Sequence, residues 1–549
     1  MLFTHSGFSL DFTNHLWLIW AAGHSLGEAG HPNFFLNAGA LGVFDPWFAF
    51  YGGTLYMVAG ALSELTGDPI LAYIGVSTLA VAASYLGMVC LGREFGLRGW
   101  SAHAPALVVV TSAYYITDLY GRGAWPEFIA TAVIAPLLAC GVRLIRARAM
   151  RLGPALGFVV CVVIFTGSHN VTLMWGGIVA LAAGAIICVA LRPRGISPRR
   201  IAAVAGLGGA SALVNAWFLF PDIAYAGDVK AHSEAIALAG ASFLDTPRVL
   251  LDPLRTVPAA SSTPALFVQV PLWFLIWGLL AGALLLWRRG VDGGIRRAWV
   301  GFVVLIGVLL GMIMYTQLWE VMPFPLDEIQ YPYRLDSYVY YAVAGLVLVG
   351  VVALERTAAR EIGARMRRVL RYGLVGVCAV SGGLCIWQLW VPKVEFPESY
   401  SNRRGALASV TEVPYTWYDG GSYNDYSAPV VETLPGRSLL FVPSEVHGDH
   451  FAAWVRVPPG LAPILTNIAG GRYLVHLSGL RWLGRSQAGY AVVGREREGS
   501  GPVHVELSTT SSATTLLGVA VSVAACIVIL AVLVGLCVRS LRARRPSMA

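Results

Sequence analysis

The sequence predicts an α-helical polytopic membrane protein of about 11 spans with a small β-rich extracytoplasmic domain near the C-terminus. Three observations carry that prediction. Hydrophobic residues make up 56% of the chain and charged residues 13%, with a mean hydropathy of +0.65, a balance foreign to soluble domains. Apolar stretches of about 17 to 25 residues, the length needed to cross a bilayer core of roughly 30 Å, recur along most of the chain. From Val394 to about Thr510 the pattern breaks, giving way to Tyr, Asp, Asn, Gly, Pro and Ser around short alternating apolar runs.

The first notable stretch is Asp11-Phe-Thr-Asn14-His15-Leu-Trp17. A carboxylate, an amide and an imidazole at i, i+3 and i+4 share one helical face, while Leu16, Ile19 and Trp20 lie on the other. This predicts an amphipathic helix at a membrane surface carrying a polar cluster. A glycine-rich loop then adds Asp45 and leads to Phe50-Tyr51-Gly52-Gly53-Thr-Leu-Tyr56. Residues 46–66 read as an interfacial or re-entrant helix, because Gly52-Gly53 breaks the start and Glu64 and Asp68 crowd the end. The competing reading is a true span, which would leave residues 1–45 in the cytoplasm.

Spans are expected at 69–92, 101–118, 124–146, 153–169, 171–191, 201–220, 264–287, 297–317, 333–354, 369–391 and 514–538. Arginines fall in alternate connections: Arg93 and Arg98, Arg143 to Arg151, Arg192 to Arg200, Arg288 to Arg297, Arg356 to Arg368, and Arg539 to Arg545. By the positive-inside rule these six sites are cytoplasmic, with the C-terminus among them. Parity then places the opening stretch outside, so a further transmembrane helix is expected upstream of Met1. The implied organisation is a first external loop with juxtamembrane helices (1–68), a transmembrane body (69–391, with an external loop at 221–263), the β-rich domain (392–511), and a last span with a basic tail (512–549). Ser438 to Val442, Ala452 to Val457, Arg472 to Leu477 and Tyr490 to Val493 read as strands of a sandwich-like fold.

The formal charge of +8 resides in short arginine loops, which excludes a nucleic-acid surface. All eight cysteines lie in apolar runs, which excludes a disulfide framework or a cysteine metal site. No internal repeat is evident, which weighs against a transporter built from duplicated halves.

Six polar spots fall on the expected external side: Asp11 with Asn14 and His15; Asp45; Asp118 to Glu127, with Tyr120 and Arg122; Ser168-His169-Asn170; the loop with Asp222, Asp228, Lys230, His232 and Glu234; and Asp327 to Asp336, with Glu328, Gln330 and Arg334. Ionisable groups at membrane depth are costly unless paired or wet, so their gathering on one side points to an outward-opening polar cavity. Each spot also has a structural reading: Asp118 with Arg122 as an ion pair, Glu127 as a helix cap beside Pro126, and His169-Asn170 as the closure of a tight hairpin. Chemically, a carboxylate facing such a cavity can act as general base on a hydroxyl. Arginine or histidine can steady a lipid-linked phosphate. Asp11 with Asp45 is the pair that could hold a divalent cation, Mg or Mn, against that phosphate.

These residues resemble the GT-C superfamily of integral-membrane glycosyltransferases, in which an acidic residue of the first external loop is the expected base; Asp11 matches that position. More closely, the chain is similar to bacterial multispanning proteins labelled 6-pyruvoyl-tetrahydropterin-synthase-related, through Asp11 with His15-Leu-Trp17, Phe50-Tyr51 with Leu55-Tyr56, Asp118-Leu-Tyr120-Gly-Arg122-Gly-Ala with Glu127, Ser168-His169-Asn170, and Gln330-Tyr-Pro-Tyr-Arg334. Gly52-Gly53 departs from the prolines many such relatives carry there. The resemblance implies a polyprenyl-phosphate or diphosphate sugar donor, and a glycan, lipid or protein acceptor on the outer side of a bacterial plasma membrane. It implies Asp11 as base; the chemistry of the polar spots themselves adds Asp45 and Glu127 as acceptor-side or second acids, Arg122, His169 and Arg334 on the donor phosphate, and Asn14, His15, Tyr51, Asp118, Asn170 and Gln330 lining the pocket. Two other classes fit the sequence less well: a flippase for lipid-linked glycan, which would need a polar path through the bilayer, and a glycan-binding scaffold using Trp417, Tyr418, Tyr423 and Tyr426.

Overall fold

The computed structural model of the chain describes residues 11–30, 48, 52–147, 149–190, 197–225, 247–254, 257–258, 265–286, 292–323, 326–327, 329, 331–356, 363–395, 438–439, 450–469, 475–486, 490–509 and 512–543. Asp45, Tyr51, Glu328, Gln330, Asp228, Lys230, His232 and Glu234 of the 221–263 loop, and the four aromatics from Trp417 to Tyr426 lie outside the described residues.

Helix α1 (Phe12–Ala29) packs along helix α2 (Gly53–Thr66). Gly23 meets Gly60 and Gly27 meets Glu64, so the two helices run the same way; a Cβ at Gly23 would sit 2.5 Å from the Gly60 carbonyl oxygen. Small residues let backbones approach this closely. The expectation of a surface amphipathic helix is corrected here. Leu16 and Ile19 on the apolar side and Asn14 and His15 on the polar side are all buried, because protein and not water covers the polar face. At 14 residues, α2 falls short of the roughly 20 that a bilayer core requires.

Helix α3 (Pro69–Glu94) starts on a strong signal: Pro69 opens it, and Asp68 Oδ1 accepts from the amides of Ile70 (2.9 Å) and Leu71 (3.1 Å). After α3 come α4 (Trp125–Ala132) running into α5 (Ile134–Arg146), α6 (Leu152–Thr166), α7 (Asn170–Ala190), α8 (Pro198–Leu213) and α9 (Ala216–Tyr225). They are followed by α10 (Leu272–Leu285), α11 (Gly293–Met314), α12 (Asp336–Arg356), α13 (Ala364–Glu395) and α14 (Ala513–Ala543).

Among the described residues, seven helices are long and apolar enough to cross a membrane, and up to eight if one bent pair counts as a span. The expected count of 11 is therefore not reached by length and composition, and each shortfall has a local cause. The 101–118 segment divides at Thr111-Ser112 into Ala104–Val110 and Ala113–Ile116, then closes in a single π-type turn, Thr117–Gly121. Helices α6 and α10 are apolar but hold only 15 and 14 residues. Helices α8 and α9 meet at 74°. At that bend Ser522 of α14 accepts the Trp217 N–H (2.9 Å) and donates to the Leu213 carbonyl (3.3 Å), satisfying backbone groups the break exposes.

Helix α12 is buried along its whole apolar length and forms the central post, as a helix hydrophobic on all sides must. The basic connections share one end of the body. Arg146 donates to the Glu94 carbonyl, Arg200 to the Ala147 carbonyl, and Arg356 to the Phe95 carbonyl.

The β-rich region forms two small sheets over a common core. One orders Ser438–Leu439, Ile464–Ala469, Tyr490–Arg495 and Leu480–Arg485; the other orders His450–Val455, Val503–Thr509 and Val475–Ser478. Leu439, Ile464, Leu480 and Val493 from the first sheet meet Val505 from the second, which gives the sandwich-like packing that alternation predicted. Three of these strands, 464–469, 480–485 and 503–509, were not among those expected.

Candidate active site

The site begins at the π-type turn. Its closing bond runs from the Arg122 amide to the Thr117 carbonyl (2.6 Å), and the Arg122 carbonyl in turn accepts the Asp11 amide (3.1 Å). The backbones of Asp11 and Arg122 are thereby joined, although 110 positions separate them in sequence. The Thr117 hydroxyl accepts the Phe267 amide (2.9 Å), which fixes the turn from a third segment. Single π-type turns interrupt the regular helical ladder and recur at functional sites.

Arg122 Nη1 donates to Glu127 Oε2 (3.0 Å) and to the Tyr114 hydroxyl (3.2 Å), and that hydroxyl donates to Glu127 Oε1 (3.2 Å). Arg334, presented by the tight turn Pro332–Leu335 that leads into α12, places Nε 3.6 Å from the same Glu127 Oε2. The Tyr331 ring lies 6.0 Å from the Arg122 guanidinium and 5.7 Å from that of Arg334, within cation–π range of both. Asp118, Arg122, Glu127 and Arg334 are each no more than 8% exposed. Asp11 alone of the group's carboxylates is partly open.

Two imidazoles flank this group. His15 Nδ1 lies 2.6 Å from the Tyr56 hydroxyl. His169 Nδ1 faces the Thr172 amide (3.2 Å), so it accepts, and in the neutral ring the proton sits on Nε2, which is a donor. Burial, reinforced by His169 and Arg122, pushes the His15 pKa down to about 3. Burial also holds His169 well below the usual histidine range, with Arg334 and Arg122 adding to it. Burial raises the Asp11 carboxyl above its ordinary value against the pull of Arg122 and Arg334, and Glu127 raises it further.

Helix α2 joins this group through its two opening glycines. Gly52 has φ +58, and a Cβ there would lie 2.7 Å from the Ser168 carbonyl oxygen; one at Gly53 would lie 2.9 Å from the Trp217 ring. The Leu55 amide donates to the Gly167 carbonyl (3.0 Å). The Gly52-Gly53 pair therefore presses α2 onto the turn carrying His169, and Tyr56 reaches His15 from there.

Of the residues singled out from sequence, Asp11, His15, Asp118, Arg122, Glu127, His169 and Arg334 come together, with Asn14 buried on the same helix as His15. Asn170 is one residue removed in role: its amide donates to Asp222 Oδ2 (2.9 Å) and ties α7 to α9. One local expectation is corrected. The ion-pair partner of Arg122 is Glu127 and not Asp118; Glu127 also sits in the first turn of α4, where the helix-dipole reading placed it, and it is engaged there by both arginines. The cation pair of Asp11 with Asp45 extends outside the described residues, and among those described no group of three or more His, Cys, Asp or Glu is arranged to hold a metal ion. Tyr114 was missed. Its signal was the polar interruption Thr111-Ser112 followed by Tyr114-Tyr115 inside a run otherwise apolar enough to span.

Compared with protein-family models and with curated proteins, the sequence matches none. The chemistry available is consequently what the cluster itself offers. Two guanidiniums share the Glu127 carboxylate, neutral imidazoles can add hydrogen bonds, and the carboxyl of half-buried Asp11 stands beside them. Such an arrangement can hold an anion and accept a proton next to it.

Proposed function

We propose that this chain is a membrane glycosyltransferase of the GT-C kind, moving a sugar from a polyprenyl-phosphate-type donor to an envelope glycan, lipid or protein acceptor outside a bacterial plasma membrane. The observation that carries the proposal is the convergence of Arg122 and Arg334 on Glu127, with the Asp11 backbone bonded to that of Arg122. Such a cluster is expensive to bury and gives little stability in return, so its retention argues for use.

In this reading Asp11 takes the proton of the acceptor hydroxyl as that oxygen attacks the anomeric carbon. The bond from that carbon to the phosphate oxygen breaks, and its electron pair leaves with the phosphate. The charge that develops there is met by Arg122 and Arg334, with His15 and His169 as neutral hydrogen-bonding groups. Burial serves this chemistry at Asp11, since a raised pKa makes the carboxylate a better base as long as it is ionised at the working pH. Sharing the arginines with Glu127 keeps them positioned before the donor arrives, which reduces the reorganisation needed on binding.

The test is transfer from a radiolabelled polyprenyl-phosphate sugar by the full chain reconstituted in vesicles, with wild type compared with Asp11→Asn. Loss of transfer in a variant that folds and inserts normally is expected; full transfer by that variant removes Asp11 as the base. A cysteine placed beside Asp11 should react with an impermeant maleimide added from outside. Labelling only from the cytoplasmic side removes the proposed orientation.

A further inference from the structure

Within the cluster, one carboxyl group is unlike the others. Asp118 is 1% exposed, and among the described residues neither of its oxygens has a hydrogen-bond partner. Glu127, by contrast, engages Arg122, Arg334 and Tyr114, and Asp11 is half-buried as a residue. The charge count is also uneven. Asp11, Asp118 and Glu127 face two permanent cations, Arg122 and Arg334, while the two nearby histidines are neutral. If all three acids were ionised, the cluster would carry a net negative charge and would repel a phosphate. Retaining one proton brings it to balance.

That proton belongs on Asp118 for physical reasons. A buried carboxylate with no donor facing it has nothing to replace its lost hydration, so the neutral acid is strongly favoured. Every charged neighbour counts in this. Glu127 on α4 and Asp11 at the start of α1 favour the protonated form, while Arg122 and Arg334 oppose it. The phenols of Tyr73, Tyr114, Tyr115, Tyr338 and Tyr340 also lie around it. With burial the largest influence, the Asp118 carboxyl lies well above the ordinary range.

We propose that Asp118 works as a neutral carboxylic acid, donating its O–H to a phosphate oxygen of the lipid-linked donor that Arg122 and Arg334 hold, and is neither a second base nor a cation ligand. This rests on the glycosyl-transfer reading of the same site and adds one thing to it: the site recognises phosphate with a neutral donor whose other two oxygen-bearing acids are committed elsewhere. No covalent step is assigned to Asp118.

The neutral-donor role and the ionised roles make opposite forecasts for one isosteric change. An asparagine side chain keeps the shape and supplies N–H donors, so Asp118→Asn should bind polyprenyl monophosphate in nanodiscs within a few-fold of wild type. Asp118→Ala, with no donor, should bind about tenfold more weakly or worse. A cation ligand would instead be lost equally in both variants, and a base acting on the acceptor would leave donor binding at the wild-type level in both; either result overturns the neutral-donor role. Infrared difference spectra of the full chain supply a readout that needs neither ligand nor fold-sensitive activity. The carbonyl band of a protonated carboxylic acid at neutral pH should be present in wild type and reduced in Asp118→Asn. Equal weakening in the two variants, or identical wild-type and Asp118→Asn spectra, overturns the proposal for Asp118 alone. Absence of any polyprenyl-phosphate binding by wild type overturns the glycosyl-transfer reading, while the infrared band still reports the protonation of Asp118.

Discussion

Two sets of charged side chains occupy this molecule, and they are built on opposite terms. Among the basic connections, Glu355 meets Arg371 at 2.9 Å and Arg367 at 3.4 Å, and Glu94 meets Arg143 at 3.7 Å, with side chains between 24% and 54% exposed. Cations outnumber acids there among the described residues, water reaches the pairs, and the guanidiniums of Arg146, Arg356 and Arg200 close helix ends at the carbonyls of Glu94, Phe95 and Ala147. In the Asp11 to Arg334 cluster, acids outnumber cations and almost every member is buried. The first set is an arrangement a membrane protein can keep cheaply at a wet surface. The second carries the desolvation cost of buried charge. The difference separates ion pairs that close helix ends at an exposed surface from a buried cluster that the proposed function puts to use.

The comparison breaks most sharply at Asp11. Asp11→Asn should lower transfer about 10²–10⁴-fold, the usual worth of a positioned general base, with insertion and thermal stability near wild type; this is measured as initial rates in vesicles. Glu127→Ala removes the carboxylate shared by two buried guanidiniums and should cost about 3–5 kcal/mol, seen as a fall in the thermal unfolding midpoint in detergent. Arg334→Lys keeps the charge but loses the planar fork. It should weaken donor binding about tenfold, read as a rise in KM larger than any fall in kcat.

Next in size is a pH effect at Asp118. Its folded pKa lies above the unfolded value of about 3.9, so the folded chain binds that proton more tightly. The stability this lends is complete below the unfolded pKa and is lost as pH rises through the folded one. Asp118→Asn should therefore match wild type in acid and exceed it near neutral pH, and a variant less stable than wild type at neutral pH would show Asp118 ionised in the fold. The smallest effect belongs to the other set. Glu355→Gln should change stability by less than about 1 kcal/mol and leave transfer unaltered.

Much of this was legible in the sequence, unevenly and for identifiable reasons. Apolar length marked the helices, yet 101–118 shows where length misleads. Hydropathy averaged over Thr111-Ser112 conceals a break that the backbone uses to make the turn carrying Asp118 and Arg122. Position on a helical wheel placed Asn14 and His15 together but could not show that Gly23 and Gly60 would bring α2 over them, so a buried helix read as a surface one. The members of the cluster were visible as polar residues in apolar surroundings. Their pairing was not, since nothing local distinguishes Asp118, four residues before Arg122, from Glu127, five residues after it, as the arginine's partner. The strand Val503–Thr509 alternates well, but its signal is short and lies just ahead of a long apolar helix.

In the proposed function, Arg122 and Arg334 form one seat for a lipid-linked phosphate beside Asp11. The most direct measurement is equilibrium binding of polyprenyl monophosphate to the full chain in nanodiscs, for wild type and for the Arg122→Met, Arg334→Met double variant, with fold checked by thermal unfolding. Saturable binding by wild type that is lost in the folded double variant is the predicted result. Equal binding by the two proteins would contradict it.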